Sequence, residues 1–355
     1  MEILLEELYK NDIYVDRFHY RKVSIDENFS YQIVGISQSG KTKLIKNYLL
    51  NLKKNSYLYI DCNDLRLDIA ELNAILENFC NRYKITTLAL DNYKKEINLI
   101  QVPQLLISSQ IDYRFDFLRT IKLYPLCYEE FLAYEHKYDS SALNHFLLLG
   151  GFAGMHKLPS DERVFYIQRT LQNSLDEMEL DIIIYCTKMM TQKISAFALY
   201  ERLKNIRKIS KDKLYSSFEI LVTKGYIHIL EKLNHPKAVK KIYLCDISLK
   251  YALSIDKHFG RVFENMVYLE ILKSAKECYY EDGIDFYLPQ SSEVVLVAPF
   301  ADERLLFKKI EAIEAFIVSN QIVKINVLTM SKEGKINHPF CDIEMIPFDI
   351  WALGD

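Results

Sequence analysis

The chain has 355 residues, half of them apolar and a quarter charged, and its net charge is −3. That length allows two or three domains with sizeable cores, and the near-neutral balance singles out no partner. Seven scattered cysteines with no C-x-x-C pair exclude a disulfide frame or a zinc site and read as reduced thiols. No stretch reaches eighteen apolar residues, and the first residues lack the basic and apolar regions of a signal peptide, so the expectation is a cytoplasmic protein without a membrane span.

Residues 1–30 read as a short helical lead-in and a polar approach to a first strand, Tyr31–Val34. Gly35-Ile-Ser-Gln-Ser-Gly-Lys-Thr42 follows and reads G-x-x-x-x-G-K-T, a phosphate-binding P-loop. Its glycines let the backbone curl, so that N–H groups from Gly35, Ser37, Gln38, Ser39 and Gly40 can point at phosphate oxygens. Lys41 then sets a positive charge on the β- and γ-phosphates, and the Thr42 hydroxyl ligates Mg²⁺. Leu44, Ile45, Tyr48, Leu49 and Leu52 recur at helical spacing, which completes the strand–loop–helix context the motif requires. The expected ligands are ATP and Mg²⁺.

Strands and helices alternate from here to about residue 125. The expected strands are 57–61, 88–91, 105–108 and 121–123, with a helix over 67–80. Strands separated by helices predict a parallel sheet with nucleotide at its carboxyl end. Asp91 ends an apolar strand and fits the acid that holds the Mg²⁺ shell. The next residue, where a water-activating Glu is usual, is Asn92, which can hold a water but cannot take its proton. Ser108 and Ser109 end the following strand, either as γ-phosphate sensors or as turn residues. Glu96 is a substitute base or a solvated charge.

Residues 126–187 read as mostly helical, broken at Gly150-Gly151 and Pro159. Residues 188–250 hold fourteen Lys/Arg against five Asp/Glu, a local +9, so the remainder carries −12. A helix over 194–203, a second capped by Ser210 and stopped at Gly225, and strands 226–230 and 241–245 make a winged-helix pattern. Lys204, Arg207, Lys208, Lys211 and Lys213 cluster at the second helix, and Lys237, Lys240 and Lys241 fall on the expected wing, 234–241. Residues 204–241 are thus either a double-stranded DNA contact or a solvated face of a protein-packing module. Residues 251–355 begin with a helix over 262–273 and continue as strands around a helix over 303–319.

Several blocks, taken in order, resemble the archaeal and bacterial AAA-type ATPases that carry a DUF4143 C-terminal region. They are Leu123-Tyr-Pro-Leu-Cys-Tyr-Glu-Glu-Phe131, Leu149-Gly-Gly-Phe152, Tyr243-Leu-Cys-Asp246, Gly260-Arg-Val-Phe-Glu-Asn-Met-Val-Tyr-Leu-Glu270 and Gly283-Ile-Asp-Phe286. The resemblance implies a P-loop core (1–125), a helical lid-like region (126–187), a winged helix (188–250) and a C-terminal domain related to PD-(D/E)XK nucleases (251–355). Ser37 replaces that family's usual arginine, Asn92 its glutamate and Ala153 its proline. Arg119 stands where the family often has a G-R pair, as a phosphate-facing or trans-acting arginine or as a strand-edge charge. In the last domain Glu264 and Asp285 are the carboxylates a nuclease would use, but Val294-Val-Leu-Val297 replaces E-x-K. Glu293 and Lys308 have the wrong spacing, so cleavage is not expected. The overall expectation is an ATPase that couples nucleotide state to the later domains; the alternative is a non-hydrolysing switch or scaffold that recruits DNA, a protein partner or a second copy.

Overall fold

The structure is a computed structural model that describes residues 1–15, 20–136, 141–206, 208–256, 258–274 and 276–354. It divides into two compact units, Met1–Tyr124 and Pro125–Asp355. No helix among the described residues is long and apolar enough to cross a membrane.

The first unit runs α1 (Glu2–Lys10), β1 (Tyr31–Val34), α2 (Lys41–Leu50), β2 (Tyr57–Asp61), α3 (Ile69–Tyr83), β3 (Thr87–Asp91), β4 (Gln104–Ser109) and β5 (Arg119–Lys122). Its strands form one parallel sheet in the order β2-β3-β4-β1-β5. The two-residue period of a strand sorts the side chains between its faces. Leu58, Ile60, Leu88, Leu90, Leu105 and Ile107 meet Leu5 of α1 and Leu72, Leu76 and Phe79 of α3 on one face. Tyr31, Ile33, Ala89 and Leu106 meet Leu44, Ile45 and Leu49 of α2 on the other. Burying both faces explains why β3 and β4 are apolar almost throughout. The edge strand β5 instead exposes Arg119, Thr120 and Lys122, and the two charges discourage pairing with another chain. Helix α3 starts at Asp68, whose carboxylate accepts from the Glu71 N–H at 2.9 Å, a cap that contributes about 1 kcal/mol.

The second unit opens with α4 (Tyr128–Glu135), α5 (Ala142–Leu149), α6 (Ser160–Gln172) and α7 (Glu177–Lys188). Next come β6 (Lys193–Ile194), α8 (Ala196–Leu203), α9 (Lys211–Lys224), β7 (Ile227–Leu230) and β8 (Lys240–Leu244), whose strands pair antiparallel in the order β6-β8-β7. Ser210 caps α9 by accepting from the Lys213 N–H, and Gly225 ends it in the left-handed conformation. Ile194 belongs to β6 and not to the helix expected there, because the backbone of its segment pairs with β8.

The chain continues through α10 (Ser248–Leu253), α11 (Phe259–Lys273), β9 (Tyr279–Glu281), β10 (Ile284–Leu288), β11 (Glu293–Val297), α12 (Glu303–Ala312), α13 (Glu314–Ser319), β12 (Lys324–Thr329), β13 (Gly334–Ile336), β14 (Asp342–Pro347) and α14 (Phe348–Leu353). Six strands form a mixed sheet in the order β13-β14-β12-β11-β10-β9. The expected single helix over 303–319 is two helices that break at Ile313.

Four of the blocks singled out in the sequence converge in this unit. Gly151 N–H donates to Asp246 at 2.6 Å, and the Gly151 carbonyl accepts from the Leu126 N–H at 2.9 Å. Tyr128 N–H donates to Glu270 at 3.0 Å, and Lys273 donates to the Leu126 carbonyl at 3.0 Å. Gly150 has φ +68, and a Cβ there would lie 2.1 Å from the Asp246 carboxylate, so only glycine fits. These blocks are thus packing and capping elements that tie α4, α5, β8 and α11 together.

Candidate nucleotide-binding site

The P-loop leaves the carboxyl end of β1 and enters α2 through two left-handed residues, Gln38 (φ 64) and Gly40 (φ 100). At Gly35 an added Cβ would lie 2.2 Å from the Leu123 carbonyl, which makes glycine obligatory. The loop thereby sets the first N–H groups of α2 at the end of the sheet, where a helix amino terminus favours an anion.

Lys41 is buried, and its ammonium donates to the carbonyls of Gly35 at 2.7 Å and Ile36 at 2.8 Å. Burial lowers its pKa to about 8, with the Asp91 carboxylate opposing the shift. Ser39 Oγ is buried without a hydrogen-bond partner inside the loop, and Gln110, whose Nε2 donates to Ser37 Oγ at 3.1 Å, leaves its own Oε1 unpaired. A buried hydroxyl without a partner is costly unless a ligand meets it, and a phosphate oxygen supplies an acceptor. The loop therefore fits a polyphosphate.

Asp91 is wholly buried at the end of β3 and collects four donors. Thr42 Oγ1 reaches its Oδ2 at 2.6 Å and Tyr59 OH reaches the same oxygen at 2.8 Å. Ser108 Oγ and the Asn92 N–H, the latter at 3.2 Å, reach Oδ1. Strand β4 lies between β1 and β3, which is why Ser108 at its end stands beside Asp91. The hard oxygens of Thr42 and Asp91 are suited to Mg²⁺, which would neutralise charge on the β- and γ-phosphates when bound.

The remaining expected residues separate. Ser109 Oγ turns away to the Ile111 carbonyl, as a turn residue does. Glu96 is exposed, and its backbone carbonyl accepts from the Asn73 amide at 2.9 Å. Arg119 is a correction. It pairs in register with Tyr31, at the amino end of parallel strands whose carboxyl ends carry the P-loop, and its guanidinium lies 3.1 Å over the Phe29 ring. Within its own chain it is a strand-edge charge and not a phosphate ligand.

Sequence reasoning missed three residues of this site. Tyr59 and Asp61 alternate with apolar residues on β2 and look there like the outer face of an edge strand. The Asn92 amide donates to Asp61 Oδ1 at 2.9 Å. Arg21 donates to the Ser39 carbonyl at 2.8 Å and to the Tyr124 carbonyl at 2.7 Å, bracing the loop. Only the sheet order, which sets β2 beside β3, could have revealed Asp61.

In the second unit Glu264 and Asp285 do come together, but around a lysine. Lys241 Nζ lies 3.0 Å from Glu264 and 3.9 Å from Asp285, and Tyr243 OH donates to Glu264 at 2.9 Å. Lys309, not Lys308, reaches Asp285 at 2.7 Å, and Glu293 opens β11 paired with Lys324 and Leu288 of its neighbours. Burial pushes the Glu264 carboxyl up, against the pull of Lys241. Among the described residues no group of three or more His, Cys, Asp or Glu could hold a metal.

The expected basic wing also changes. Lys240 and Lys241 lie on β8, paired with Glu231 and Glu264, so neither is free for DNA phosphates. The Leu233 N–H donates to the Tyr280 carbonyl at 3.1 Å, which holds the hairpin loop against β9. Lys237 stays exposed in the loop, as do Lys204, Lys208, Lys211 and Lys213 around α9; Arg207 lies outside the described residues. Lys204 pairs with Glu201 at 2.6 Å, and Lys211 lies over the rings of Phe197 and Tyr215.

A parallel sheet that feeds a glycine loop into a helix, with a buried acid on a strand two places away, is the fold of a P-loop nucleoside triphosphatase. No protein-family model matches the chain. An uncharacterized protein of Methanocaldococcus jannaschii is 24% identical, over 90% of this chain and 87% of the relative. A Walker-type ATPase of Pyrococcus abyssi aligns with 64% of this chain and 91% of its own at 15% identity, with a TM-score of 0.41. The ORC1 protein of Aeropyrum pernix, solved in complex with DNA, aligns with 64% of this chain and 87% of its own at 13% identity, with a TM-score of 0.31. These likenesses are weak, and the site stands on its own residues.

Proposed function

We propose that the first unit binds ATP with Mg²⁺ and hydrolyses it slowly, and that nucleotide state sets the arrangement of the second unit. The observation that carries this reading is the convergence of Lys41, Thr42, Ser108 and Asp91 at one end of the sheet. Backbone N–H groups of the loop and Lys41 hold the phosphates, Thr42 and Asp91 hold the metal shell, and Ser108 senses the γ-phosphate through Asp91. Within the second unit we read residues 126–187 as a lid-like helical region of an AAA-type ATPase. Residues 188–250 are a winged helix whose hairpin is engaged by protein. Residues 251–355 are a nuclease-like domain of the DUF4143 kind in which a lysine sits between the carboxylates. The exposed lysines around α9, with Lys237 of the hairpin loop, are the part of residues 204–241 left for DNA.

A second reading, a non-hydrolysing ATP-dependent switch or scaffold, is favoured by Asn92, which supplies no base. Single-turnover hydrolysis on the full chain separates the two. Lys41-dependent release of phosphate supports the ATPase, and stoichiometric bound ATP that stays intact supports the switch.

A further inference from the structure

We infer that Asp61 is a positioning residue that fixes the amide of Asn92, so that its carbonyl oxygen holds the water that attacks ATP. This rests on the ATPase reading above and adds how a site without the usual glutamate can turn over.

Asp61 ends β2 and Asp91 ends β3, and the two are direct partners in the sheet register. Asn92 follows in the left-handed conformation (φ 54), which asparagine tolerates better than most residues. Its backbone N–H is held by Ser108 Oγ at 2.9 Å, and its Nδ2 donates to Asp61 Oδ1 at 2.9 Å. Asp61 is itself fixed, because Oδ1 also accepts from the Asn63 N–H at 3.0 Å and its carbonyl from the Asp64 N–H at 2.9 Å. An ionised carboxylate only accepts hydrogen bonds, so the NH₂ end of Asn92 must face Asp61. The amide cannot flip without setting oxygen against oxygen. Its Oδ1 accepts no hydrogen bond from protein among the described residues and remains open as an acceptor.

An acceptor that takes a hydrogen bond from water turns the oxygen lone pair toward the phosphorus, the role an amide plays in other P-loop hydrolases. The water oxygen bonds to the γ-phosphorus as the bond to the β–γ bridging oxygen breaks. ADP leaves with that electron pair, and the water proton passes to a phosphoryl oxygen. Neither Asn92 nor Asp61 keeps it. In a loose transition state most of the barrier is position and charge, so orientation without a base gives slow but real turnover.

The test is a double-mutant cycle on the full chain with Asp61→Ala, Asn92→Ala and the double variant, reading kcat, KM and the affinity for MgATP. Asp61→Ala is expected to lower kcat by about 10- to 100-fold while ATP affinity stays within about twofold. Because Asp61 acts only through Asn92, removing it from Asn92→Ala should cost nothing further, and Asp61→Glu should recover part of the rate. Losses that multiply would overturn the proposal, since Asp61 would then act on its own. Wild-type protein that binds ATP but never turns it over also overturns it and leaves the binding site intact. No ATP binding at all would instead remove the function proposed above.

Discussion

Thr42 and Asp91 are joined by a 2.6 Å hydrogen bond from the hydroxyl to Oδ2. Thr42 lies in the first turn of α2 and Asp91 ends β3, with β4 interposed between β3 and the strand that feeds the loop. The loop after β1 and the two side chains thus bridge two strand spacings, roughly 10 Å of sheet. The bond brings the glycine loop and the acidic strand end together, with hard oxygens of the kind that suit Mg²⁺.

The loop has little room to change. An alanine at Gly35 would press its Cβ into the Leu123 carbonyl and Ser39 Oγ. Gly35→Ala is expected to cost about 1–3 kcal/mol of stability by overpacking and to weaken MgATP binding, because Ser39 and the loop N–H groups must shift. Denaturant unfolding and nucleotide titration of the same variant measure both. Unchanged affinity would mean that the loop is not the phosphate cradle.

Lys41 links binding to pH. Its pKa of about 8 in the folded chain lies below the ordinary 10.5, so holding the buried ammonium costs stability below pH 8, a cost relieved as pH rises from 8 to 10.5. Bound triphosphate favours the charged form, so binding above about pH 8 must take up a proton. MgATP affinity should be flat from about pH 6.5 to 8 and fall above it, by up to about tenfold per unit. Calorimetry in two buffers of different ionisation enthalpy reads the proton uptake directly. An uptake of zero at about pH 9 contradicts this.

Asn92→Glu, the obvious way to restore a base, meets Asp61. A glutamate there faces a carboxylate that now holds the Asn92 amide at 2.9 Å, and it must also adopt a positive φ. The single variant should therefore gain little turnover. Exchanging the pair, Asp61→Asn with Asn92→Glu, returns an amide–carboxylate contact with the base at the residue after β3. That double variant should turn over at least about tenfold faster than Asn92→Glu alone. Equal rates would show that the two positions do not interact.

The part of this site carried by contiguous residues was legible in the sequence. Gly35–Thr42 needs one spacing of glycines, and Asp91 ends an apolar strand; the sheet order then brought Ser108 to them. Asp61 and Arg21 were not legible, since their roles depend on which strands are neighbours and on a carbonyl contact across the loop. Arg119 misled because position along the chain does not say which end of a parallel strand a residue occupies. The wing misled for a similar reason. Lys241 looks like one charge in a basic run, yet its partner Glu264 lies on a helix that packs beside β8.

Lys241 gives the second unit its own test. Removing it leaves the carboxylates of Glu264 and Asp285 largely buried without the ammonium between them. Lys241→Ala should destabilise that unit by about 3 kcal/mol or more at neutral pH. Burial already raises the Glu264 carboxyl, and a raised carboxyl loses stability as pH rises, so the defect should shrink at about pH 5 compared with pH 8. Denaturant unfolding at both values measures it. Wild-type protein should leave double-stranded DNA intact with Mg²⁺ or Mn²⁺, because an ammonium sits where a bridging metal would.

The central claim, that the loop from Gly35 to Thr42 is a nucleotide site, is tested most directly by calorimetric titration of MgATP into the full chain and into Lys41→Ala. One ATP per wild-type chain is expected. The variant should bind at least about 30-fold more weakly, the loss that follows from deleting a buried charge partner worth about 2 kcal/mol or more. Binding of equal strength and stoichiometry in the two proteins would contradict the account.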